Sequence, residues 1–176
     1  MVVRAALLVL VGCMGCAGAG RAALPQGSLR EIAARAPLTV LVFFSGHCPC
    51  QTAHDERLVA LDARYAPRGV QFYAIDSEVG ATADRDRAEA ARRRYRFPIL
   101  TDDGATIATA VGAESATYTL VVDRVGAIRY RGGIDSDRTH LTPAATPYLA
   151  DALEDLLAGR APRVAESRAL GCALTR

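Results

Sequence analysis

Two cysteines separated by one residue are the part of this 176-residue sequence best suited to chemistry. Cys48 and Cys50 flank Pro49, at the point where an apolar run gives way to a helical pattern. Backbone N–H groups at a helix N-terminus favour the thiolate, which is the reactive form of cysteine. The pair is therefore predicted to be redox-active, and His47 would add positive charge beside it if protonated.

A structural disulfide is the alternative interpretation of this pair. Bonding Cys48 to Cys50 would close a loop too short to stabilise the fold much, so a redox role is favoured. In that role Cys48 attacks a partner disulfide or another thiol-reactive group, and Cys50 resolves the mixed disulfide. No organic cofactor is expected, because the protein itself supplies the reacting groups.

A metal site is another interpretation of the same segment. Cys50 and His54 are four residues apart and therefore share one helix face. Together with Cys48 they would offer two thiolates and an imidazole, a ligand set that suits Cu(I) in a copper-binding or copper-delivery module. His54 is interpreted first as a helix-surface histidine, and nothing in the sequence relates His140 to the cysteines.

The first residues have the composition of an export signal. Arg4 is followed by an unbroken apolar run from Ala5 to Val11. This run is shorter than the ~20 residues that span a bilayer, but it suits the core of a signal peptide. We therefore predict that residues 1–12 are a signal peptide and that the mature protein is exported.

Residues 10–13 read Leu-Val-Gly-Cys and resemble the bacterial lipobox, in which the cysteine receives a diacylglyceryl group. Cys13 is therefore the predicted lipid anchor, on the periplasmic side of a membrane. Met14 stands where an aspartate usually retains lipoproteins in the inner membrane, which favours the outer membrane. Cleavage after the A-x-A sequence at 17–19 is the alternative, but it would leave two cysteines in the leader without a role.

The composition fits one globular domain with a substantial core, since 51% of the residues are apolar and 23% are charged. The 21 basic residues, all arginine, are interleaved with 19 acidic ones, so no nucleic-acid partner is predicted. The arginine run at 92–94 is interpreted as a solvated helix face. The predicted organisation is a lipidated tether at 13–26, a domain at 27–158 and a C-terminal tail at 159–176.

Hydrophobic periodicity and turn residues predict an alternation of helices and strands. The predicted strands are residues 38–44, 70–75, 97–100, 118–122 and 127–131. The predicted helices are residues 28–36, 49–65, 85–95, 105–111 and 147–157. This order indicates a three-layer α/β/α domain with a mixed sheet that ends in an antiparallel hairpin.

Three segments together resemble the thioredoxin-like superfamily, namely residues 43–50, 70–76 and 121–135. The resemblance is greatest to redoxin-domain proteins of the peroxiredoxin (AhpC/TSA-like) branch, which include exported bacterial members, and it covers about residues 38–157. It implies a thioredoxin-like fold and exchange of electrons with protein thiols or disulfides and a redox partner protein.

The sequence departs from this family at identifiable positions. Ala116 or Thr117 stands where the family places a cis-proline facing the active cysteine. Ser45 lies three residues before Cys48, as in peroxiredoxins, but Leu41 occupies their proline position and Thr117 lies near the position of their arginine. A thiol peroxidase is therefore the second alternative to a thiol-disulfide oxidoreductase.

Cys172 lies in a Leu-Gly-Cys-Ala ending that resembles the Gly-Cys ending of some exported redoxins. Three roles are open for it: a resolving cysteine, a thiol that docks a partner, or a free thiol of the tail. The sequence does not indicate whether it reaches Cys48.

Overall fold

The computed structural model of this protein describes residues 28–176. The predicted signal peptide (1–12), the whole predicted tether (13–26) and the predicted lipidation of Cys13 lie outside these residues. Among the described helices, none has both the length and the apolar character needed to cross a membrane.

A five-stranded mixed sheet lies at the centre of the domain, with strand order β3-β2-β1-β4-β5. The strands are β1 (Leu38–Phe44), β2 (Val70–Asp76), β3 (Ile99–Thr101), β4 (Thr119–Asp123) and β5 (Ile128–Gly132). β1 and β3 pair parallel to β2, whereas β4 pairs antiparallel to both β1 and β5. The predicted α/β class, with its final antiparallel hairpin, is confirmed.

Five helices cover the sheet: α1 (Ser28–Ala33), α2 (Pro49–Tyr65), α3 (Ala83–Arg92), α4 (Thr106–Val111) and α5 (Tyr148–Leu157). Short 3-10 turns occupy Ala66–Arg68 and Asp103–Ala105. Two apolar layers result, one under α2 and α5 and the other under α1 and α4.

β1 is the central strand because its sequence is apolar or β-branched on both faces. Each of its seven residues is at most 7% exposed. Val42 and Phe44 pack in the layer that contains Leu58 of α2, while Leu41 and Phe43 pack in the layer that contains the cysteines. β1 therefore runs through the middle of the core and ends directly before the loop at 45–48, which carries Cys48.

Helix α3 differs from its predicted bounds at both ends. It begins at Ala83 because the Thr82 side chain accepts a hydrogen bond from the Arg85 backbone N–H and caps the helix. It ends at Arg92, and Arg94 then adopts a left-handed backbone with φ of 59°. The predicted end at residue 95 ignored this reversal, for which no glycine or asparagine gives a signal.

The segment at 159–176 runs back across the domain. Beside β5, the Arg131 N–H donates to the Ala165 carbonyl at 3.0 Å, and the Ser167 N–H donates to the Arg131 carbonyl at 3.0 Å. Further on, residue 173 forms an antiparallel bridge with Ser115 in the loop before β4. This path returns Cys172 to the N-terminus of α2.

Candidate active site

Cys48 occupies the N-cap position of α2, and Pro49 is the first residue of the helix. Proline suits this position because its missing N–H would have no partner within the helix. Cys48 is 1% exposed and Cys50 is 2% exposed. The preceding loop is held by the Cys48 N–H, which donates to the Ser45 carbonyl at 3.3 Å.

The structure brings a third thiol to this pair. The sulfur atoms of Cys48 and Cys172 lie 2.7 Å apart, although 124 positions separate the two residues in the chain. The Cys172 N–H also donates to Cys48 Sγ at 3.3 Å. Together with Cys50, the three sulfur atoms all lie within 4.8 Å of one another.

The thiols of Cys48 and Cys172 differ in acidity. Burial acts to raise the pKa of Cys48, but hydrogen bonds from the side chain and backbone of Cys172, and from the backbone at Gln51 and Cys50, lower it below its ordinary value. Burial and the neighbouring Cys48 raise the pKa of Cys172 to about 12. Cys48 therefore loses its proton first, and the Cys172 S–H is the donor between them.

His54 lies one turn after Cys50 and is 2% exposed, so its interpretation as a surface histidine is wrong. Its Nδ1 lies 2.8 Å from the Cys50 carbonyl oxygen, and its Nε2 lies 3.1 Å from Asp135 Oδ1. Both partners are pure acceptors, so satisfying both nitrogens requires a protonated ring. Burial lowers the pKa of His54, but these two acceptors raise it above 6.5 overall.

The geometry separates His54 from the sulfur cluster. Among the described residues, the group of potential metal ligands at this site consists of Cys48, Cys50 and Cys172. The predicted set with His54 is not assembled, because both ring nitrogens are used by the protein. Asp135, which holds the ring, lies 81 positions away in the chain. Its place after the predicted hairpin favoured a role in turn formation, whereas the structure pairs it with His54.

The remaining predicted residues have different surroundings. Ser45 is buried, and its carbonyl rather than its hydroxyl is the group seen to contact Cys48. His47 and Pro49 are exposed at the rim of the site. His140 is exposed in the loop before α5, without a described contact to the cysteines.

Ala116 and Thr117, at the position of the family's cis-proline, form a turn beside the cysteines. The described residues contain no cis peptide bond, and Thr117 instead adopts a left-handed backbone with φ of 64°. Such a conformation is unfavourable for a β-branched residue. It is held by the Thr117 N–H, which donates to the Phe43 carbonyl at 2.8 Å, and by Ala116, whose N–H donates to the Cys172 carbonyl at 2.9 Å.

Arg93 is a residue of the site region that the sequence interpretation placed on a solvated face. Its side chain is 1% exposed and forms ion pairs with Asp55 and Glu89. It also donates to the Gly46 carbonyl at 3.0 Å, and its guanidinium lies 4.9 Å from the Phe44 ring centre. Arg93 therefore ties the loop before Cys48 to α3.

Comparison with known families shows the family of the chain. The AhpC/TSA family model matches residues 24–131, which is more than half of the chain. The chain belongs to the AhpC/TSA family. A comparison with curated proteins gave no match.

Solved structures similar to this AhpC/TSA protein include an uncharacterized conserved protein from Geobacillus kaustophilus, 28% identical with a TM-score of 0.75. The alignment covers 83% of this chain and 80% of that one. A hypothetical protein from Sinorhizobium meliloti 1021 is 26% identical with a TM-score of 0.74, over 82% of each chain. A thioredoxin-like protein solved in its oxidized form has a TM-score of 0.58 at 17% identity, over 78% of this chain and 90% of that one, which shows the shared fold.

Proposed function

We propose that this AhpC/TSA protein is an extracytoplasmic thiol-disulfide oxidoreductase in which Cys48 is the attacking thiolate. The observation that carries the proposal is the position of Cys48 at a helix N-terminus, where its sulfur accepts from the Cys172 N–H at 3.3 Å and lies 2.7 Å from the Cys172 sulfur. These contacts lower the pKa of Cys48. Buried catalytic thiolates need such donors because burial alone favours the neutral thiol. The extracytoplasmic part rests on the export signal expected at residues 1–12.

The reaction proceeds in two exchanges. The Cys48 thiolate attacks one sulfur of a partner disulfide, forming a mixed disulfide and releasing the partner's other sulfur as a thiolate. Cys50 then gives up its proton and attacks Cys48 Sγ, which releases the first partner sulfur and closes the Cys48–Cys50 disulfide. The partner gains the two electrons that the protein loses, and its two sulfur atoms take up the proton released by Cys50 and one from solvent.

Cys50 is suited to the second exchange because it lies on α2, whose first turn also carries Cys48. Its sulfur is within 4.8 Å of the Cys48 sulfur in the reduced protein. The reverse reaction, in which the oxidised pair passes a disulfide to partner thiols, uses the same contacts.

Alkylation by iodoacetamide, followed by mass spectrometry of each cysteine peptide, tests the nucleophile. Cys48 should be labelled well below pH ~8.5, the ordinary pKa of a free thiol, whereas Cys172 should be labelled slowly. A separate experiment uses Cys50→Ser, which cannot resolve the mixed disulfide. The partner trapped on Cys48 in this variant identifies the physiological substrate. Fast labelling elsewhere with an unreactive Cys48 contradicts the assignment, and consumption of hydrogen peroxide with a dithiol reductant assigns the peroxidase alternative.

A copper-binding or copper-delivery role is a second candidate, and the observation that favours it is the three-sulfur cluster itself. Thiolates are ligands that select Cu(I), and the cluster supplies three of them within 4.8 Å. Cys172 takes the place that the sequence interpretation assigned to His54.

Titration of the reduced protein with Cu(I) against a colorimetric chelator tests this candidate. Binding of one Cu(I) that is lost in Cys172→Ala and kept in His54→Gln favours the copper role. The titration needs Cys13→Ser and Cys16→Ser in every sample, because the sequence places two further thiols near the N-terminus. Copper that the chelator removes equally from all variants argues against it.

A further inference from the structure

The end of the chain binds the turn before β4 in the manner of an added strand. The Ala116 N–H donates to the Cys172 carbonyl at 2.9 Å, and the Leu174 N–H donates to the Glu114 carbonyl at 2.9 Å. An antiparallel bridge joins the two segments between these bonds. Backbone pairing of this kind gives affinity to an extended segment without reading its side chains. We call residues 114–117 the docking turn.

This added strand carries a cysteine to the nucleophile. Its pairing with the docking turn sets Cys172 Sγ 2.7 Å from Cys48 Sγ. A partner that forms a mixed disulfide must bring its own sulfur to Cys48 in the same way, and a strand on the docking turn achieves this. In the reduced protein, the place beside the nucleophile is therefore filled by the protein's own tail.

The space available to a side chain differs from one position of the docked strand to the next. A Cβ atom on Gly171 would overlap the Ala116 carbonyl, 2.5 Å from its carbon, and would lie 3.0 Å from Thr117 Oγ1. Ala173 is exposed, whereas Leu174 is 8% exposed and packs in the core layer that contains the active-site cysteines. The site therefore accepts only glycine at the position before the cysteine. The position after the cysteine is unrestricted, and the second position after it holds a buried apolar side chain.

We propose that the docking turn is the binding site for an extended partner segment of the form Gly-Cys-x-Leu, and that residues 171–174 occupy it in the reduced protein. The proposal rests on the oxidoreductase function above. The partner is a protein that presents one cysteine of its disulfide on a flexible segment, since the strand needs free backbone groups to pair. The tail leaves, the partner strand replaces it, and Cys48 attacks the partner cysteine while Cys50 remains in place to resolve.

The test uses the full chain with Cys50→Ser and Cys172→Ser, so that an adduct on Cys48 is stable. It also carries Cys13→Ser and Cys16→Ser, so that Cys48 is the one remaining thiol. The probe is the synthetic peptide Arg-Ala-Leu-Gly-Cys-Ala-Leu-Thr-Arg, with its cysteine activated as a mixed disulfide with thionitrobenzoate. Attack on the peptide releases coloured thionitrobenzoate, and mass spectrometry locates the adduct. A matched peptide carries alanine in place of the glycine, and reaction of both peptides with glutathione measures their intrinsic reactivity.

The glycine peptide should modify Cys48 about tenfold faster than the alanine peptide, a difference of ~1.4 kcal/mol, because the added methyl group overlaps the Ala116 carbonyl. Adding Gly171→Ala to the same chain should loosen the tail and speed the glycine peptide further, with the preference between peptides unchanged. Ala161→Ser is the matched control, because it changes an exposed side chain of the same C-terminal segment, outside the docked strand.

Three failures are distinguishable in this experiment. Equal rates for both peptides at Cys48, in a variant whose circular dichroism matches the parent, overturn the docking proposal and leave the oxidoreductase function standing. A Cys48 that reacts with neither peptide nor with a small activated disulfide overturns both. If the glycine peptide reacts faster than the alanine peptide, but Gly171→Ala does not speed its reaction, the role of the tail as occupant of the docking turn is overturned.

Discussion

At the N-terminus of α2, hydrogen-bond direction decides which of two touching thiols is charged. Cys48 has the lowered pKa, while the pKa of Cys172 rises to about 12. Two thiols in contact titrate in two steps, so one has a lowered pKa and the other a raised pKa. Contact alone does not decide which thiol loses its proton first. The N–H of Cys172, which points at the Cys48 sulfur at 3.3 Å, breaks this symmetry.

Replacing Cys172 by alanine is therefore expected to raise the pKa of Cys48, because the S–H donor is removed from the thiolate. The pH dependence of Cys48 alkylation should shift to higher pH, by about one unit for each ~1.4 kcal/mol of lost stabilisation. Cys172→Ser retains a hydroxyl donor and should show a smaller shift. Identical profiles for wild type and Cys172→Ala would show that Cys172 does not stabilise the thiolate.

Among elements, α2 is anchored at its second turn by a buried charge cluster. Asp135, after β5, accepts from His54 and from Arg57. Burial acts to raise the pKa of Asp135, but these two donors lower it overall. Ionised groups thus hold α2, which carries Cys50, to the segment that follows the edge strand β5.

This anchor predicts a pH-dependent stability. The folded-state pKa of His54 is raised above 6.5, so its contribution is complete below that value and declines as the pH rises through the folded pKa. The free energy of unfolding of wild type relative to His54→Gln should therefore be constant below pH 6.5 and fall in the range above it. Urea unfolding across this range measures it, and a constant difference would show that His54 is not protonated in the fold.

The loop before Cys48 depends on Arg93, and this dependence yields a second stability prediction. Arg93→Ala removes the Arg93 donor from the Gly46 carbonyl and one donor each from Asp55 and Glu89, which keep those from Tyr95 and Arg92. This loss should cost about 1–3 kcal/mol of unfolding free energy. Arg92→Ala and Arg94→Ala are matched controls with exposed side chains, and each should change it by less than ~0.5 kcal/mol. Similar losses at all three positions in urea unfolding would contradict a special role for Arg93.

Sequence patterns predicted these elements where the signal was local. Strand β1 and helix α2 have their predicted bounds, because an apolar run and a proline-opened helical period are both encoded by neighbouring residues. Cys48 and Cys50 were recognisable as a pair for the same reason. The approach of Cys172, like the burial of His54 and Arg93, depends on contacts between distant segments, which no periodicity records.

For the whole molecule, the position of the catalytic domain in the cell depends on residues before the described fold. The lipobox predicts that Cys13 carries a lipid, with the domain held on the periplasmic side of the outer membrane by its tether. Cells fed an alkyne-labelled fatty acid should yield labelled wild-type protein and unlabelled Cys13→Ala. Cys16→Ala is the matched control and should keep the label. Label on the Cys13→Ala protein would contradict Cys13 as the anchor, whereas unlabelled wild-type protein would favour the alternative cleavage after residues 17–19.

The path of the tail along β5 also bears on solubility. An edge strand with free N–H and C=O groups is a template for pairing with another chain. Residues 165–167 cover β5 by bonding both backbone groups of Arg131, and the opposite edge, β3, is only three residues long. Removing residues 164–176 should therefore promote self-association, visible by light scattering, while removing only 170–176 should leave the protein monomeric. The same segment that carries Cys172 to the nucleophile thus shields the sheet from aggregation.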